Sequence, residues 1–204
     1  GHGCIDLPIG QSAIRLMQGG APGEWLDAIR APEGAIHHLR FAAGETRQLS
    51  RDEALGLGIE LAAEGMAPAP LQPVFGDVHN IDHVVVSSND SAATAAWFES
   101  ELGVEIKRSM VRPGTGAQLQ FAKLSDMVLE FAGPPEPRPG PHQARYWGLV
   151  ARVTGLEAVL RRVKAAGIET TEPRPAVQPG ATIATVKGGT GGVPFALIEY
   201  PPRA

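Results

Sequence analysis

The stretch IDHVVVSSNDSAATAAWFESELG, residues 81–103, predicts a β-strand followed directly by an α-helix. Its opening segment, 81–87, is rich in Val and is bounded by polar residues, which is typical of a strand. Asp90 is suited to cap a helix over 91–102, and Gly103 is a common helix stop. Three further strands are predicted between turn residues, at 104–110, 118–123 and 127–131. The sequence therefore predicts a module of one strand, one helix and three strands.

The same order of elements returns in the last third of the chain. The stretch GLVARVTGLEAVLRRVKAAG, residues 148–167, predicts a strand at 149–153 and a helix over 156–166. Thr154 and Glu157 have the spacing of a capping box at the start of that helix. Three more strands are predicted, at 168–172, 182–187 and 194–200. Two such modules predict an α+β fold with a cupped sheet, because alternate strand side chains share one face and can enclose a small ligand.

The composition is that of an ordinary globular protein and argues against several functional classes. The chain has 204 residues, 43% of them hydrophobic, with a net charge of −4, so we expect neither a nucleic-acid partner nor a membrane surface. It contains no apolar run of the roughly 20 residues that span a membrane, and it does not begin with the layout of a secretion signal. We therefore expect a cytoplasmic protein. The single cysteine, Cys4, excludes an internal disulfide and a Cys-rich zinc site.

Proline-rich segments predict the domain organisation. The segment 66–77 contains closely spaced prolines, which favour neither a helix nor a central strand. We place a linker there, between an N-terminal block at 1–65 and a complete domain at 78–204. A second proline-rich segment, 133–141, is expected to be a stiff, extended connection between the two modules.

The N-terminal block contains pieces of the same kind of module. Residues 7–17 predict a hairpin like the one between the third and fourth strands, and residues 33–41 predict a first strand. Ser50 and Glu53 have capping-box spacing, which predicts a helix that runs to about residue 63. The block is therefore expected to be an incomplete module.

The chain resembles the vicinal oxygen chelate superfamily, the group of glyoxalases, bleomycin resistance proteins, epimerases and extradiol dioxygenases. The resemblance extends over residues 78–204. It rests on five segments in a fixed order: IDHVV at 81–85, WFESELG at 97–103, VLEF at 128–131, GLEAV at 155–159 and KAAG at 164–167. It implies the paired-module fold and a ligand site in the cup.

Metal-using members of this superfamily bind one divalent ion through a His on the first strand and a Glu on the fourth strand of each module. The resemblance places His83 and Glu130 at the ligand positions of the first module. It places Gly148 and Ala196 at those of the second, and neither can ligate a metal through its side chain. The domain would then supply two ligands where catalytic centres usually need at least three. We predict no complete metal site, with a bound Zn, Ni, Co, Mn or Fe ion as the alternative.

Other residues are candidates to complete the site or to line it. Glu199 lies three residues beyond Ala196 and so points to the opposite sheet face, where we expect a solvated carboxylate. Within the N-terminal block, similarity to epimerase-like members places His38 at a ligand position and Arg15 at a Glu position. Three aromatic residues near strand starts fit either a ligand pocket or the core: Tyr146, Trp147 and Phe195.

Glu130 and His38 each have more than one interpretation. The neighbours of Glu130 predict a buried strand, and a buried carboxylate needs a partner. That partner could be a metal, Arg15 or a donor group of a ligand. His38 with His83 and Glu130 would form a two-His, one-carboxylate set of the kind that binds nonheme iron, whereas the simpler alternative is a vestigial strand.

Two functions are therefore open. The first is a small-molecule binding protein, with Arg15, His38 and Trp147 as candidate ligand contacts. The second is a metal-dependent lyase, epimerase or dioxygenase that acts on vicinal oxygens through His83, Glu130 and an unidentified third ligand. A homodimer is predicted in either case, because an incomplete N-terminal block leaves strand edges to be covered.

Overall fold

The computed structural model divides the chain into two compact units. The described residues are 4–9, 12–17, 39–43, 46–63, 77–124, 127–190 and 192–202. Unit one comprises Gly1–Ala35, Pro70–His83 and Gly148–Ala204, and unit two comprises Ile36–Ala69 and Val84–Trp147. The domain boundary predicted at 66–77 falls almost wholly outside the described residues and stays a prediction.

The described elements are thirteen strands and two helices. In chain order they are β1 (Cys4–Ile9), β2 (Ser12–Met17), β3 (Leu39–Ala43), β4 (Arg47–Leu49), β5 (Ile59–Ala63), β6 (Val78–Ser88), α1 (Ser91–Leu102), β7 (Ile106–Val111), β8 (Gln118–Leu124), β9 (Met127–Gly133), β10 (Ala144–Val153), α2 (Leu156–Ala165), β11 (Arg174–Pro175), β12 (Thr182–Val186) and β13 (Phe195–Glu199). Neither helix, at twelve and ten residues, is long enough to cross a membrane, a finding that covers the described residues alone.

The largest sheet, with eight strands, has the strand order that two equivalent modules produce. Its order is β11-β12-β13-β10-β6-β9-β8-β7. In each half of the sheet, the first strand of the module lies next to its fourth strand, the fourth next to the third, and the third next to the second. The strands β6 and β10 contribute residues to both units. The predicted α+β fold of paired strand, helix and three-strand modules is confirmed.

Helix α1 has the bounds that its local sequence predicts. The Asp90 side chain accepts a hydrogen bond from the Ala93 backbone N–H at 2.9 Å. At the other end Gly103 adopts φ 66°, a left-handed conformation that glycine enters at little cost. Phe98 is fully buried, and its ring lies 4.9 Å from that of Phe131 on β9. Local caps define the ends of α1, and the buried aromatic contact holds it on the sheet.

Helix α2 begins where predicted but is capped differently. Its N-cap is Gly155 at φ 68°, and no capping side chain from the helix sequence bonds to the first turn. The carboxylate of Glu199 instead accepts hydrogen bonds from the backbone N–H groups of Gly155 and Leu156, at 2.5 and 3.2 Å. The predicted Thr154–Glu157 capping box is therefore wrong. Glu199, predicted to be a solvated carboxylate, is partly exposed and also caps the helix from β13.

We expect Glu199→Ala to lower the free energy of unfolding by about 1–2 kcal/mol, because two helix N–H groups lose their acceptor. Glu157→Ala is the matched control, since it removes the same charge from the first turn of α2, and we expect it to cost less than about 0.5 kcal/mol. Urea denaturation measures both values. Equal losses in the two variants would show that Glu199 acts only through its charge near the helix.

The core of unit one lies between α2 and one face of its strands. Leu156, Val159 and Leu160 of α2 pack into a buried cluster with Ala151 and four other strand residues: Val153, Ala184, Val186 and Leu197. A second cluster, formed by Val150, Ala181 and Ile198, involves the alternate residues of β10 and β13. Alternation along a strand places this second cluster on the face opposite α2.

The strand predicted at 168–172 is wrong in position. Thr170 makes only an isolated antiparallel bridge to Val186, and the strand at this place is β11, which pairs Arg174 with Ile183. Prolines at 173 and 175 have no N–H group to donate to a ladder. The pairing is therefore short and lies at the edge of the sheet.

The N-terminal block contains a hairpin and an abbreviated module. As predicted for residues 7–17, β1 and β2 form an antiparallel pair, in which Ile9 lies opposite Ser12. Strand β3 pairs parallel with β5, which pairs antiparallel with β4. The first, fourth and third strands of the last module show the same arrangement, since β10 is parallel to β13 and β13 is antiparallel to β12. Within the described residues this piece lacks the helix and the second strand.

The helix predicted from Ser50 to about residue 63 is wrong, although its cap forms. Ser50 N–H and Oγ both donate to the Glu53 carboxylate, at 2.9 and 2.7 Å, and Glu53 N–H donates to Ser50 Oγ at 3.3 Å. Leu55 and Gly56 then adopt φ 55° and 89°, which no α-helix continues through. The chain leaves the turn and enters β5. The strand predicted at 33–41 is described only from residue 39.

Candidate functional site

Gly148 occupies the position in β10 that His83 occupies in β6. Each lies eight residues before the first residue of the helix that follows, Leu156 or Ser91. A Cβ atom on Gly148 would lie 2.7 Å from the Pro194 carbonyl oxygen and 3.1 Å from Pro194 Cβ. The same carbonyl accepts a 3.0 Å hydrogen bond from Leu149 N–H, which fixes it in place. The backbone therefore leaves no room for a metal-binding side chain at position 148.

The second module is also apolar at the position expected to carry a carboxylate. Ala196 pairs with Val150 in the parallel ladder of β10 and β13. It packs against the buried cluster of Val150, Ala181 and Ile198, together with Ile183. A divalent ion needs oxygen, nitrogen or sulfur ligands, and these side chains provide none. This face of unit one is suited to contact with an apolar group.

His83 is held by a carboxylate in its own unit. It is 5% exposed, and its Nδ1 lies 2.8 Å from Oδ1 of Asp82. The Tyr200 hydroxyl donates to the same oxygen at 3.1 Å. The contact between Nδ1 and the Asp82 carboxylate fixes the orientation of the imidazole ring. A carboxylate in this position orients the imidazole for a metal ion or for proton transfer.

Tyr200 connects this carboxylate to an arginine. Burial raises the pKa of Tyr200, and the Asp82 charge and hydrogen bond raise it further, while Arg152 acts in the opposite direction. The hydroxyl is therefore protonated at neutral pH and serves as a donor. The Arg152 guanidinium carbon lies 4.8 Å from the centre of the Tyr200 ring, within the range of a cation–π contact.

A pocket of about 300 Å³ opens beside these residues. It is lined by His79, Arg152, Val153, Thr154 and Tyr200. The Nε2 atom of His79 lies 2.5 Å from Oγ1 of Thr154. The lining therefore combines a permanent cation with hydroxyl and imidazole groups.

In unit two, Glu130 accepts a hydrogen bond from an arginine. Glu130 is 5% exposed and lies opposite Phe121 in the β8–β9 ladder. Arg112 Nη2 donates to its Oε1 at 3.1 Å, and the arginine side chain is 43% exposed. The Nε atom of Arg112 is buried without a hydrogen-bond partner in the described part of the chain. The guanidinium thus supplies a positive charge at the carboxylate that the family resemblance marks as a metal ligand.

A model of the Glyoxalase/Bleomycin resistance protein/Dioxygenase superfamily matches residues 80–197, more than half of the chain. The chain belongs to this superfamily. The match includes both modules of the largest sheet, so the resemblance predicted from the sequence is confirmed. A search of curated protein sequences finds no significant match to this superfamily member.

This chain aligns with nearly the whole length of several solved structures of the same fold. Methylmalonyl-CoA epimerase from Mycobacterium tuberculosis is 19% identical, with 64% of this chain and 94% of that one aligned and a TM-score of 0.55. A hypothetical protein from Bacillus halodurans C-125 is 17% identical over 61% and 96% of the two chains, with a TM-score of 0.53. A single-residue variant of Streptomyces coelicolor methylmalonyl-CoA epimerase in complex with 2-nitronate-propionyl-CoA is 18% identical, with 60% of this chain and 95% of that one aligned and a TM-score of 0.51. At such identities the likeness shows the fold alone.

The other predicted site residues of this superfamily member are placed as follows. Arg15 pairs with Asp6 in the β1–β2 ladder, and its side chain, like all of His38, lies outside the described residues. Trp147 is 48% exposed, whereas Tyr146 is buried and donates to the Gly58 carbonyl oxygen at 3.0 Å. In the ranges that the structure describes, no three His, Cys, Asp or Glu side chains are grouped so as to hold a metal ion.

Sequence reasoning missed four residues that shape these sites: Asp82, Arg112, Arg152 and Tyr200. Asp82 adjoins the candidate ligand His83, and a carboxylate beside a histidine is a signal that was present. Arg112 directly follows β7 and continues the alternation of Arg108 and Met110, a spacing typical of one sheet face. The contact of Arg152 with Tyr200 depends on the register of β10 and β13, which the sequence does not specify.

Proposed function

We propose that this superfamily member binds a small organic molecule and holds no catalytic metal ion of the His and Glu type. The observation that carries the proposal is at Gly148, where the Pro194 carbonyl oxygen lies 2.7 Å from the place of a Cβ atom. A histidine in this position would have to displace the backbone of the loop before β13. The second module would therefore offer an ion neither of its two expected ligands.

The surroundings of Ala196 and Glu130 support the same proposal. Ala196 packs among apolar side chains that suit the body of an organic ligand. Glu130 accepts a charge-assisted hydrogen bond from Arg112, which would compete with a metal ion for the same carboxylate oxygen. An arginine bound in this way balances a buried carboxylate without any ion.

A ligand screen in the presence of a chelator tests this proposal. We expect at least one compound of a small-metabolite library to raise the melting temperature of the full chain equally with and without EDTA. A ligand at 100 times its Kd stabilises the folded state by about 2.7 kcal/mol, which is readily measured. If every stabilising compound requires a divalent ion, the protein is a metal-dependent binder and the proposal is wrong.

A metal-dependent lyase, epimerase or dioxygenase is the second candidate, and the environment of His83 favours it. The Asp82 carboxylate orients the ring through Nδ1, as a carboxylate does for many metal-bound histidines. Under this alternative His83 and Glu130 would each ligate the ion, and a third ligand would come from elsewhere. A divalent Zn, Ni, Co, Mn or Fe ion would then polarise two neighbouring substrate oxygens.

We further propose that the protein is a homodimer in the cytoplasm. The edge strand β7 and the three-stranded sheet of β3, β5 and β4 present strand edges that a second copy could cover. Light scattering coupled to size exclusion measures the mass directly. A monomer over the whole accessible concentration range would contradict the dimer.

A further inference from the structure

The pocket beside β10 contains a cation, Arg152, that pairs with no carboxylate in the described part of the chain. Arg152 is partly buried, and within the described residues it forms no ion pair; its guanidinium lies over the Tyr200 ring at 4.8 Å. Burial of part of a guanidinium costs some of its hydration, and a counter-ion would offset this cost. An anionic ligand group would restore the balance.

Three described carboxylates of unit one, on or next to the strands that line the pocket, are engaged by other groups. Asp82 accepts hydrogen bonds from His83 and Tyr200. Glu199 accepts from two backbone N–H groups at the start of α2, and Asp77 forms an ion pair with Arg162. These acceptors are therefore committed to the fold, and among the described residues no hydrogen bond or ion pair occupies the guanidinium of Arg152.

The rest of the lining is suited to receive an oxyanion. The Tyr200 ring restricts the orientation of the guanidinium, whose parallel N–H groups match the two oxygens of a carboxylate or a phosphate. His79 Nε2 and Thr154 Oγ1 lie 2.5 Å apart at the same pocket. With Nε2–H as the donor, Thr154 Oγ1 accepts from His79, and the threonine hydroxyl can then donate a hydrogen bond to an incoming oxygen.

The pocket lies at one end of the apolar face described above, which includes Ala196. Gly148, Val150 and Arg152 alternate along one face of β10, and Arg152 lies roughly 13 Å from Gly148 by strand geometry. On β13 the corresponding row is Ala196 and Ile198, with Tyr200 just beyond the strand. An apolar row thus ends in a cationic pocket.

We propose that this pocket binds the carboxylate or phosphate group of a small organic anion. The inference rests on the proposed function, because the anionic group would belong to the small molecule that the protein binds. It adds the chemical class of the ligand, an acid with an apolar body, and it assigns Arg152 as the residue that selects for charge.

Nuclear magnetic resonance titration of the full chain tests the proposal with three probes: inorganic phosphate, acetate and the neutral compound glycerol. We expect saturable shifts of the Thr154 and Tyr200 amide signals with phosphate or acetate and none with glycerol. Arg152→Gln should weaken anion binding by about tenfold, the effect of losing one charge-assisted contact. Stronger binding of acetate or of phosphate would identify the anionic group.

Arg161→Gln is the matched control, since it removes the same charge from the exposed surface of α2. It should leave the anion affinity within about twofold of that of the original protein, as expected for a solvent-screened charge. Thr154→Val is a second pocket variant and should weaken binding about threefold if Arg152→Gln does not fold. Shifts that never saturate, or an equal loss of affinity in Arg161→Gln, would overturn the proposal.

The ligand screen and the titration together separate this inference from the proposed function. If only neutral library compounds bind, this inference fails while the proposed function stands. If phosphate or acetate saturates the pocket but no library compound binds, the proposed function fails instead.

Discussion

Gly148→His is expected to destabilise the protein by about 2–3 kcal/mol and to create no metal site. The new Cβ would lie 2.7 Å from the Pro194 carbonyl oxygen, a contact that real side chains avoid. That carbonyl also accepts the Leu149 N–H, so moving it would break a ladder hydrogen bond. Urea denaturation measures the loss of stability, and calorimetric titration with Zn²⁺ or Co²⁺ measures any gain in metal affinity.

Gly188→His is the matched control for this substitution. A Cβ atom on Gly188 would meet no atom within 4 Å, and its backbone is not in the left-handed region. We expect a change of less than about 0.5 kcal/mol there. A Gly148→His protein as stable as the original, with tight binding of one Zn²⁺ per chain, would show that the backbone accommodates the missing ligand.

Arg112→Met is expected to lower the free energy of unfolding by about 2 kcal/mol. The substitution leaves the buried Glu130 carboxylate without the guanidinium that donates to it at 3.1 Å. Removing one partner of a fully buried ion pair costs about 3–5 kcal/mol, and we discount this value because Arg112 is 43% exposed. Chemical denaturation of the purified variant measures the loss.

A double-variant cycle separates the ion pair from general effects of losing an arginine. Arg108→Met removes an exposed arginine from β7, four residues before Arg112, and should cost less than about 0.5 kcal/mol. Combining Arg112→Met with Glu130→Gln should recover at least about 1 kcal/mol relative to the sum of the single losses. Strictly additive losses would mean that the guanidinium does not stabilise the carboxylate.

The sequence predicts the elements whose determinants are local. Asp90 and Gly103 flank α1 and bond to its own terminal turns, so both ends of the helix could be read directly. The cap of α2 could not, because the carboxylate that provides it comes from Glu199, more than forty residues away along the chain. At Ser50 a correct local signal was overridden, since the cap forms but Leu55 and Gly56 turn the chain out of the helix.

The candidate site was predictable to a similar extent. The absence of side-chain ligands at Gly148 and Ala196 is visible in the sequence, but the contact that closes position 148 comes from Pro194 on another segment. The partner of Glu130 depends on how β7, β8 and β9 align, and Arg112 was not recognised for that reason. Pairings between strands need the register, which residue types alone do not determine.

Elemental analysis of the purified full chain tests the central claim most directly. The account predicts that the protein carries no stoichiometric Zn, Ni, Co, Mn or Fe after exposure to each ion and removal of the excess, and that His83→Ala leaves this result unchanged. One tightly bound ion per chain, lost in His83→Ala, would contradict the account and establish the metal-dependent alternative.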